Sequence, residues 1–226
     1  MARRMLLAAA GAAGVISNLI STDVSTGKIY IHDEITTTIT TSFAIAFGNP
    51  RGLTYDGANL ISVGRDATLG KILVHTGITS SITTSFASAG GALDPSGLAF
   101  DGTNLISCDA ADDKIFLHTG ITSTITTSFA SPSTNPSGLT FAGNDLVSCD
   151  TNLNKIFLHS GITTTITTSF SSPSTNPTGL AFDGVNLLSC DRGAAKIYLH
   201  TGITSTITSS FAAPASDPNG ITLQAI

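Results

Sequence analysis

Five histidines recur at intervals of 41 to 43 residues, and they are the first candidates for chemistry. They are every histidine in the chain: His32, His75, His118, His159 and His200. Imidazole is a common metal ligand, so a ring of five suggests a metal site. Each histidine ends a segment that we predict to be the third strand of a repeated unit. In that position the five copies would lie roughly 20 Å apart, whereas a metal–nitrogen bond is about 2 Å long. We therefore expect histidines that hydrogen-bond the turn after their strand, and no metal site.

The three cysteines, Cys108, Cys149 and Cys190, also occupy one repeated position. Thr22 and Val63 take that position in the other units, so it accepts a small, mostly apolar side chain. The odd number and the absence of CxxC spacing argue against a disulfide framework or a zinc site. The sequence predicts buried free thiols.

The 15 acidic side chains are mostly turn residues repeated from unit to unit. Asp56, Asp101 and Asp183 stand in hairpin-turn dipeptides or their equivalents, and Asp23, Asp109, Asp150 and Asp191 each follow an apolar strand. A glycosidase needs two carboxylates that face one pocket, and no unit carries a singular acid on its first strand. GxSxG, HExxH and phosphate-binding glycine motifs are absent from the sequence. The sequence predicts no catalytic residue, no enzymatic activity and no cofactor.

The elements that position these residues form a tandem repeat. Complete units begin at Gly52, Gly97, Gly138 and Gly179, with periods of 45, 41 and 41 residues, and a fifth beginning falls at Gly220. Such periods indicate propeller blades. Each unit predicts four strands: a short one after a proline, an apolar one such as NLISC, a third such as KIFLH, and a Thr-rich strand such as residues 120–129. In that last strand Ile121, Ile125 and Phe129 are expected to share one face.

The chain begins its repeat in the middle of a unit. Residues 18–43 lack the first strand of the repeat, and residues 220–226 supply the missing piece. The sequence therefore predicts an all-β fold, a five-bladed β-propeller of four antiparallel strands per blade over residues 18–226, closed by the C-terminal strand joining the three N-terminal strands.

Residues 1–17 lie outside the repeat. Arg3 and Arg4 precede an Ala- and Leu-rich run that begins with Met5, Leu6 and Leu7. Three interpretations stay open: an arm that docks into a neighbouring subunit, a segment that packs on its own propeller, and a retained signal-like segment.

The repeat resembles the propeller repeats of the NHL, streptogramin-lyase and YncE-like group. The resemblance lies in the P-x-G-[LI]-[AT]-[FY]-D-G-x-N-L pattern, as in Pro95 to Leu105, and in D-x4-K-I, as in Asp109 to Ile115. It covers nearly the whole chain from residue 18. It implies the propeller fold and not an activity, because these motifs build blades in proteins of many functions. Five blades are unusual in that group, and the chain has no Trp.

Charge limits the expected partners. The net charge of −5 leaves no basic field for nucleic acid. No apolar run reaches the length of a membrane span. The expected partners are other protein subunits of an assembly, including further copies of this chain, or glycans, and the expected location is extracellular or on a virion.

Differences between units are the remaining functional signal. The loops between the second and third strands diverge and contain the candidate binding residues Arg65, Asp66, Asp112, Asp113, Asn152 and Arg192. A binding surface would diverge in this way, and so would loops under neutral drift. The main functional hypothesis is a non-catalytic structural propeller held in a larger assembly by its N-terminal arm. The alternative is a multivalent lectin-like propeller.

Overall fold

The computed structural model describes residues 17–46, 49–65, 70–90 and 94–225. These residues form five four-stranded antiparallel sheets and no helix, which confirms the predicted five-bladed propeller. Within these ranges nothing helical has the length and hydropathy needed to cross a membrane.

The strands of each blade are labelled in chain order. Blade 1 contains β1 (Ser17–Asp23), β2 (Lys28–His32), β3 (Ile39–Ala44) and the C-terminal β20 (Pro218–Ala225). Blade 2 contains β4 (Pro50–Tyr55), β5 (Leu60–Arg65), β6 (Gly70–His75) and β7 (Ile82–Ala87). Blade 3 contains β8 (Pro95–Phe100), β9 (Leu105–Asp109), β10 (Lys114–His118) and β11 (Ile125–Ala130). Blade 4 contains β12 (Pro136–Ala142), β13 (Asp145–Asp150), β14 (Lys155–His159) and β15 (Ile166–Ser171). Blade 5 contains β16 (Pro177–Phe182), β17 (Leu187–Asp191), β18 (Lys196–His200) and β19 (Ile207–Ala212).

The ring closes through the C-terminal strand, as the split repeat predicted. β20 pairs with β1 in antiparallel register, with Leu223 opposite Leu19 and Ala225 opposite Ser17. Strand β20 thereby becomes the inner strand of blade 1, and its backbone hydrogen bonds join the two ends of the propeller.

The disc has two distinct faces. One face carries the hairpins between first and second strands and the turns between third and fourth strands, and we call it the hairpin face. The opposite face, which we call the loop face, has the loops from second to third strand and the joining loops between blades. Ser17 and Ala225 lie on the hairpin face, because β1 leaves it and β20 ends there.

The fourth strand of each blade is shorter than the sequence pattern predicted. In blade 3 the strand begins at Ile125, and residues 120–124 form a turn. Gly120 has a positive φ of 62°, and the Thr122 hydroxyl donates to the carbonyl of Thr119, which ends the extended conformation there. Ile121 therefore packs from a turn against the core of blades 2 and 3, and Ile125 is 36% exposed, so the predicted shared face does not form.

The hydrophobic core lies between the blades rather than at one centre. One of its clusters contains Ile106, Cys108 and Ile115 of blade 3 with Leu139 and Leu146 of blade 4. Equivalent clusters lie at the other junctions. Burial of such side chains contributes roughly 25 cal/mol per Å² of apolar area, so each blade is stabilised mainly by its neighbours.

Glycines allow the inner strands to approach one another closely. The positions equivalent to Gly138 are Gly52, Gly97, Gly179 and Gly220. A Cβ on Gly138 would lie 2.9 Å from the Cys149 Sγ and 2.9 Å from the Gly179 Cα. The channel between the five inner strands is consequently too narrow to hold a water molecule.

Candidate functional site

The carboxylates that follow the second strands are structural. In blade 5, the Asp191 Oδ1 accepts the backbone N–H of Ala194 at 2.9 Å, and its Oδ2 accepts that of Asn176 at 3.0 Å. Asp23 and Asp150 make equivalent pairs of bonds. These acids cap their loops and fasten the joining loop, as the turn chemistry predicted.

Asp109 departs from this pattern. Its Oδ1 caps the loop, but its buried Oδ2 has no hydrogen-bond partner. Burial raises the pKa of this carboxyl, although the backbone N–H groups of Ala111 and Asp112 oppose the rise. Among the described residues, no three His, Cys, Asp or Glu side chains are arranged to hold a metal ion.

The five histidines are buried and fully hydrogen-bonded. His118 is typical: its Nε2 lies 2.8 Å from the Ser107 hydroxyl, and its Nδ1 lies 2.7 Å from the carbonyl of Thr122. Since a carbonyl only accepts, Nδ1 carries the proton and Nε2 accepts from serine. The prediction of a histidine that ties down the following turn is confirmed. Both ring nitrogens are used, so neither is free for a metal or a substrate.

The cysteines are buried free thiols, as predicted. Burial raises the pKa of Cys108 and of Cys190 to about 12, and it raises the pKa of Cys149 as well. Because the thiolate is the reactive form, these residues are poor nucleophiles. They fill space beside the inner glycines: the N–H of Gly97 donates to the Cys108 Sγ at 3.2 Å.

Three candidate loop residues have local structural roles. Asp113 has a positive φ of 54°, a conformation that turns the loop toward the third strand. The Asp112 N–H donates to Asp109, and the Asn152 side chain donates to the Thr134 hydroxyl in the joining loop at 2.7 Å. Asp66 lies outside the described residues, as do Arg3, Arg4, Met5, Leu6 and Leu7.

The other two candidates, Arg65 and Arg192, make ion pairs that bridge blades. The Arg65 Nη1 lies 3.3 Å from the Asp94 Oδ1, in the loop that joins blade 2 to blade 3. The Arg192 Nε lies 2.6 Å from the Asp217 Oδ1, in the loop that joins blade 5 to blade 1. The second contact is close but not aligned as a hydrogen bond, since that Oδ1 has no hydrogen-bond partner.

Arg51 lies between these two pairs. It belongs to β4, the inner strand of blade 2, and its Nη1 is 2.9 Å from the same Asp94 Oδ1 that Arg65 contacts. Burial lowers the pKa of Arg51; Asp94 acts in the opposite direction, and the charges of Arg65 and Arg192 lower it further. Burial also raises the pKa of Asp217, against the opposing charges of Arg192 and Arg51.

We call Arg51, Arg65, Arg192, Asp94 and Asp217 the axial cluster. It contains every arginine of the described residues, and it lies on the loop face beside the inner strands. The loop residues Arg65 and Arg192 are thus brought together electrostatically, whereas Asp112, Asp113 and Asn152 belong to blades 3 and 4.

Sequence reasoning missed Arg51, Asp94 and Asp217, although a signal for them was present. Arginine takes the repeat position equivalent to Ala110 only in blades 2 and 5, where the other blades have Val24, Ala110 and Thr151. The joining loop that follows has Asp only after those two blades, and Asn49, Asn135 or Asn176 after the others. Comparing the repeat position by position would have exposed this Arg–Asp pairing.

Neither a protein-family model nor a curated protein matches this sequence, so the resemblance to the NHL and YncE-like group has no support from a family match. Solved structures do share the fold. Glutaminyl cyclase from Myxococcus xanthus is 15% identical, with a TM-score of 0.64 over 76% of this chain and 80% of that one. A chain of a nidogen/laminin complex is 16% identical, with a TM-score of 0.62 over 93% and 98%. At these identities the similarity shows the fold alone.

Proposed function

We propose that this protein is a non-catalytic structural propeller, anchored in a larger assembly such as a virion or a cell-surface array by its N-terminal arm, and that it presents its loop face. One observation carries the proposal: the described chain begins and ends on the hairpin face, with Ser17 opposite Ala225. The axial cluster and the divergent loops lie on the opposite face. An arm that precedes Ser17 would therefore anchor one face and leave the other accessible.

Charge supports the same arrangement. The acids of the hairpin face are Asp33, Glu34, Asp56, Asp101, Asp145 and Asp183, and within the described residues that face has no Lys or Arg. Residues 1–16 contain Arg3 and Arg4 and no acid. An arm from one copy would thus be electrostatically complementary to the hairpin face of another copy.

The fold neighbours do not choose between functions. One is an enzyme and the other is part of a complex between proteins, and a propeller supports either. The carbohydrate-binding alternative gains less from the geometry. The amide of the candidate Asn152 already donates to the Thr134 hydroxyl, and the repeated carboxylates Asp150 and Asp191 accept backbone N–H groups.

The test compares the full chain with a variant that lacks residues 2–16, using sedimentation velocity over a range of protein concentrations. The full chain should form species larger than a monomer, and the truncated chain should stay monomeric with an unchanged melting temperature. Since the proposed contact is electrostatic, the double variant Arg3→Ala/Arg4→Ala and added salt should each weaken the assembly.

A matched control is Lys155→Ala/Lys196→Ala, which removes two positive charges from the exposed start of the third strands on the loop face. This variant should assemble like the unmodified chain. Identical sedimentation of the full and truncated chains at every concentration would rule out the arm as an anchor.

A further inference from the structure

The axial cluster has more hydrogen-bond donors than its carboxylates accept. Each guanidinium carries five N–H groups. Arg51 and Arg65 direct Nη1 to one and the same oxygen, the Asp94 Oδ1. The Arg51 Nε is buried and has no partner at all. An unpaired buried donor on a charged group is costly. The Nε itself is closed to solvent, so an acceptor from outside the chain can reach only the exposed part of the Arg51 side chain, which is 23% exposed.

The charges around Arg51 come close to balance. The three arginines and two aspartates of the axial cluster sum to +1, and the neighbouring Asp23 brings that sum to 0. Arg51 is repelled by both other arginines and attracted by Asp94 and Asp217. Asp23 lies near Asp217, but its Oδ1 accepts the N–H of Thr26 at 3.1 Å and its Oδ2 accepts the N–H of Asp217 at 2.7 Å. Asp23 is therefore committed to the backbone and does not supply the missing acceptor.

The composition of the cluster is not what drift alone would produce. Arg51 stands where the other blades have Ser96, Ser137, Thr178 and Asn219. In blades 3, 4 and 5 the hydroxyl at this position donates to the proline carbonyl of the next blade, a bond that arginine in blade 2 replaces with a charge. Five positions differ from the residue type found at the same place in the other blades, and all five lie together: Arg51, Arg65, Arg192, Asp94 and Asp217. Independent changes would be scattered around the ring.

We propose that the axial cluster binds an oxyanion, the carboxylate or phosphate group of a partner molecule, with Arg51 as the central donor and Arg65 and Arg192 at its sides. Guanidinium groups match the geometry of both anions. The ligand group rests on the mouth of the central channel and does not enter it, because the channel below holds no water-sized space. This inference rests on the proposed function in one respect, that the loop face is accessible in the assembly. It adds the chemical class of group that the loop face binds.

The test follows the Arg51 Nε–Hε resonance of the full chain by NMR during titration with sodium acetate or inorganic phosphate, at constant ionic strength set with chloride. Saturable shifts with a Kd on the order of 1 mM are expected, because a single small anion offers few contacts. Acetate and phosphate distinguish a carboxylate from a phosphate source. A carboxylate source predicts a further gain in affinity for a peptide with a free C-terminus over its amide.

Arg51→Gln should weaken binding about tenfold or more, the equivalent of one charge-assisted hydrogen bond. Arg65→Gln and Arg192→Gln provide variants that keep the fold, since these side chains are 44% and 50% exposed, and each should weaken binding several-fold. Lys155→Gln is the control on the same face and should bind like the unmodified chain.

A linear, non-saturating response to both anions, or equal affinity in the Arg65→Gln, Arg192→Gln and Lys155→Gln variants, would overturn the proposal and leave the cluster as a clamp between blades. Failure of the arm proposal would appear instead in sedimentation, because removal of residues 2–16 changes no residue of the axial cluster.

Discussion

At the scale of single residues, the repeated histidine shows how one side chain ties together three parts of a blade. The His159 ring accepts from Ser148 on the second strand and donates to the Thr163 carbonyl in the next turn. Its ring also packs against Phe129 of the preceding blade, with the centroids 6.2 Å apart. The same contact recurs at all five junctions. A histidine in this position must be neutral, because it is buried and no carboxylate is among its hydrogen-bond partners.

This arrangement predicts a steep loss of stability in mild acid. Burial lowers the pKa of every histidine below its usual 6.5, against the opposing effect of the threonine carbonyl. The unfolded chain therefore binds more protons than the folded one below pH 6.5. The free energy of unfolding should be greatest above that pH and fall as the pH drops toward the folded-state pKa, by at most about 7 kcal/mol per pH unit for five groups.

Urea unfolding at several pH values between about 7.5 and 5 measures this slope. The variant His159→Gln, which removes one titrating group, should show a shallower slope than the unmodified chain even if it is less stable overall. A free energy of unfolding that stays level between about pH 6.5 and 5.5 would contradict the assignment of neutral buried histidines.

At the scale of strands, the inner glycines set how closely the blades approach. Gly138→Ala would place a methyl group within 3.0 Å of the backbone of Gly179 and beside the Cys149 Sγ. The backbone of the neighbouring inner strand cannot move aside as a flexible side chain would. We expect a loss of about 3 kcal/mol or more in the free energy of unfolding. The measurement is the denaturant midpoint at constant slope.

The matched control is Gly161→Ala. Gly161 has a positive φ of 65° and open space around it, so alanine there meets backbone strain but no steric clash, at a cost of about 1–2 kcal/mol. Equal losses for the two variants would show that close approach of the inner strands is not what requires glycine.

Also at the scale of strands, the repeat made most of the fold predictable. The period, the turn dipeptides and the split unit sufficed for blade number, strand order and ring closure. The fourth strand was predicted too long because alternation of Ile and Thr continues through residues 120–124, while Thr122 and Gly120 impose a turn that alternation does not report. The site was less predictable, because Arg51 meets Arg192 and Asp217, which lie far along the chain, only through the closed ring.

At the scale of the whole molecule, charge separates across the disc. All eight cations of the described residues, five lysines and three arginines, lie on the loop face at the starts of third strands, in the loops, or at the mouth of the channel. Among the described residues, every charged side chain of the hairpin face is an acid. Aspartates on the loop face offset its cations, so the two faces differ in character, and an assembly that orients the disc would present two distinct surfaces to its surroundings.

The whole ring should depend on its last strand. Ile221 of β20 is 1% exposed and packs with Leu19 and Leu188, and the Gly220 N–H donates to the Thr22 hydroxyl at 2.7 Å. Deleting residues 220–226 removes these contacts and exposes the edge of β1, so the deletion should abolish cooperative unfolding or lower the melting temperature sharply.

A circular permutant separates the loss of the strand from the loss of chain continuity. Because Ser17 lies opposite Ala225, a short linker can join them, and new ends can be opened at the exposed Thr134 in the loop between blades 3 and 4. The permutant keeps all twenty strands. Blade 1, which combines the two ends of the natural chain, is then built from one continuous segment like the other four blades. If strand pairing closes the ring, the permutant should unfold cooperatively, while the deletion should not. A deletion variant that melts cooperatively at an unchanged temperature would show that β20 contributes nothing to closure, and that four blades and three strands hold the ring without it.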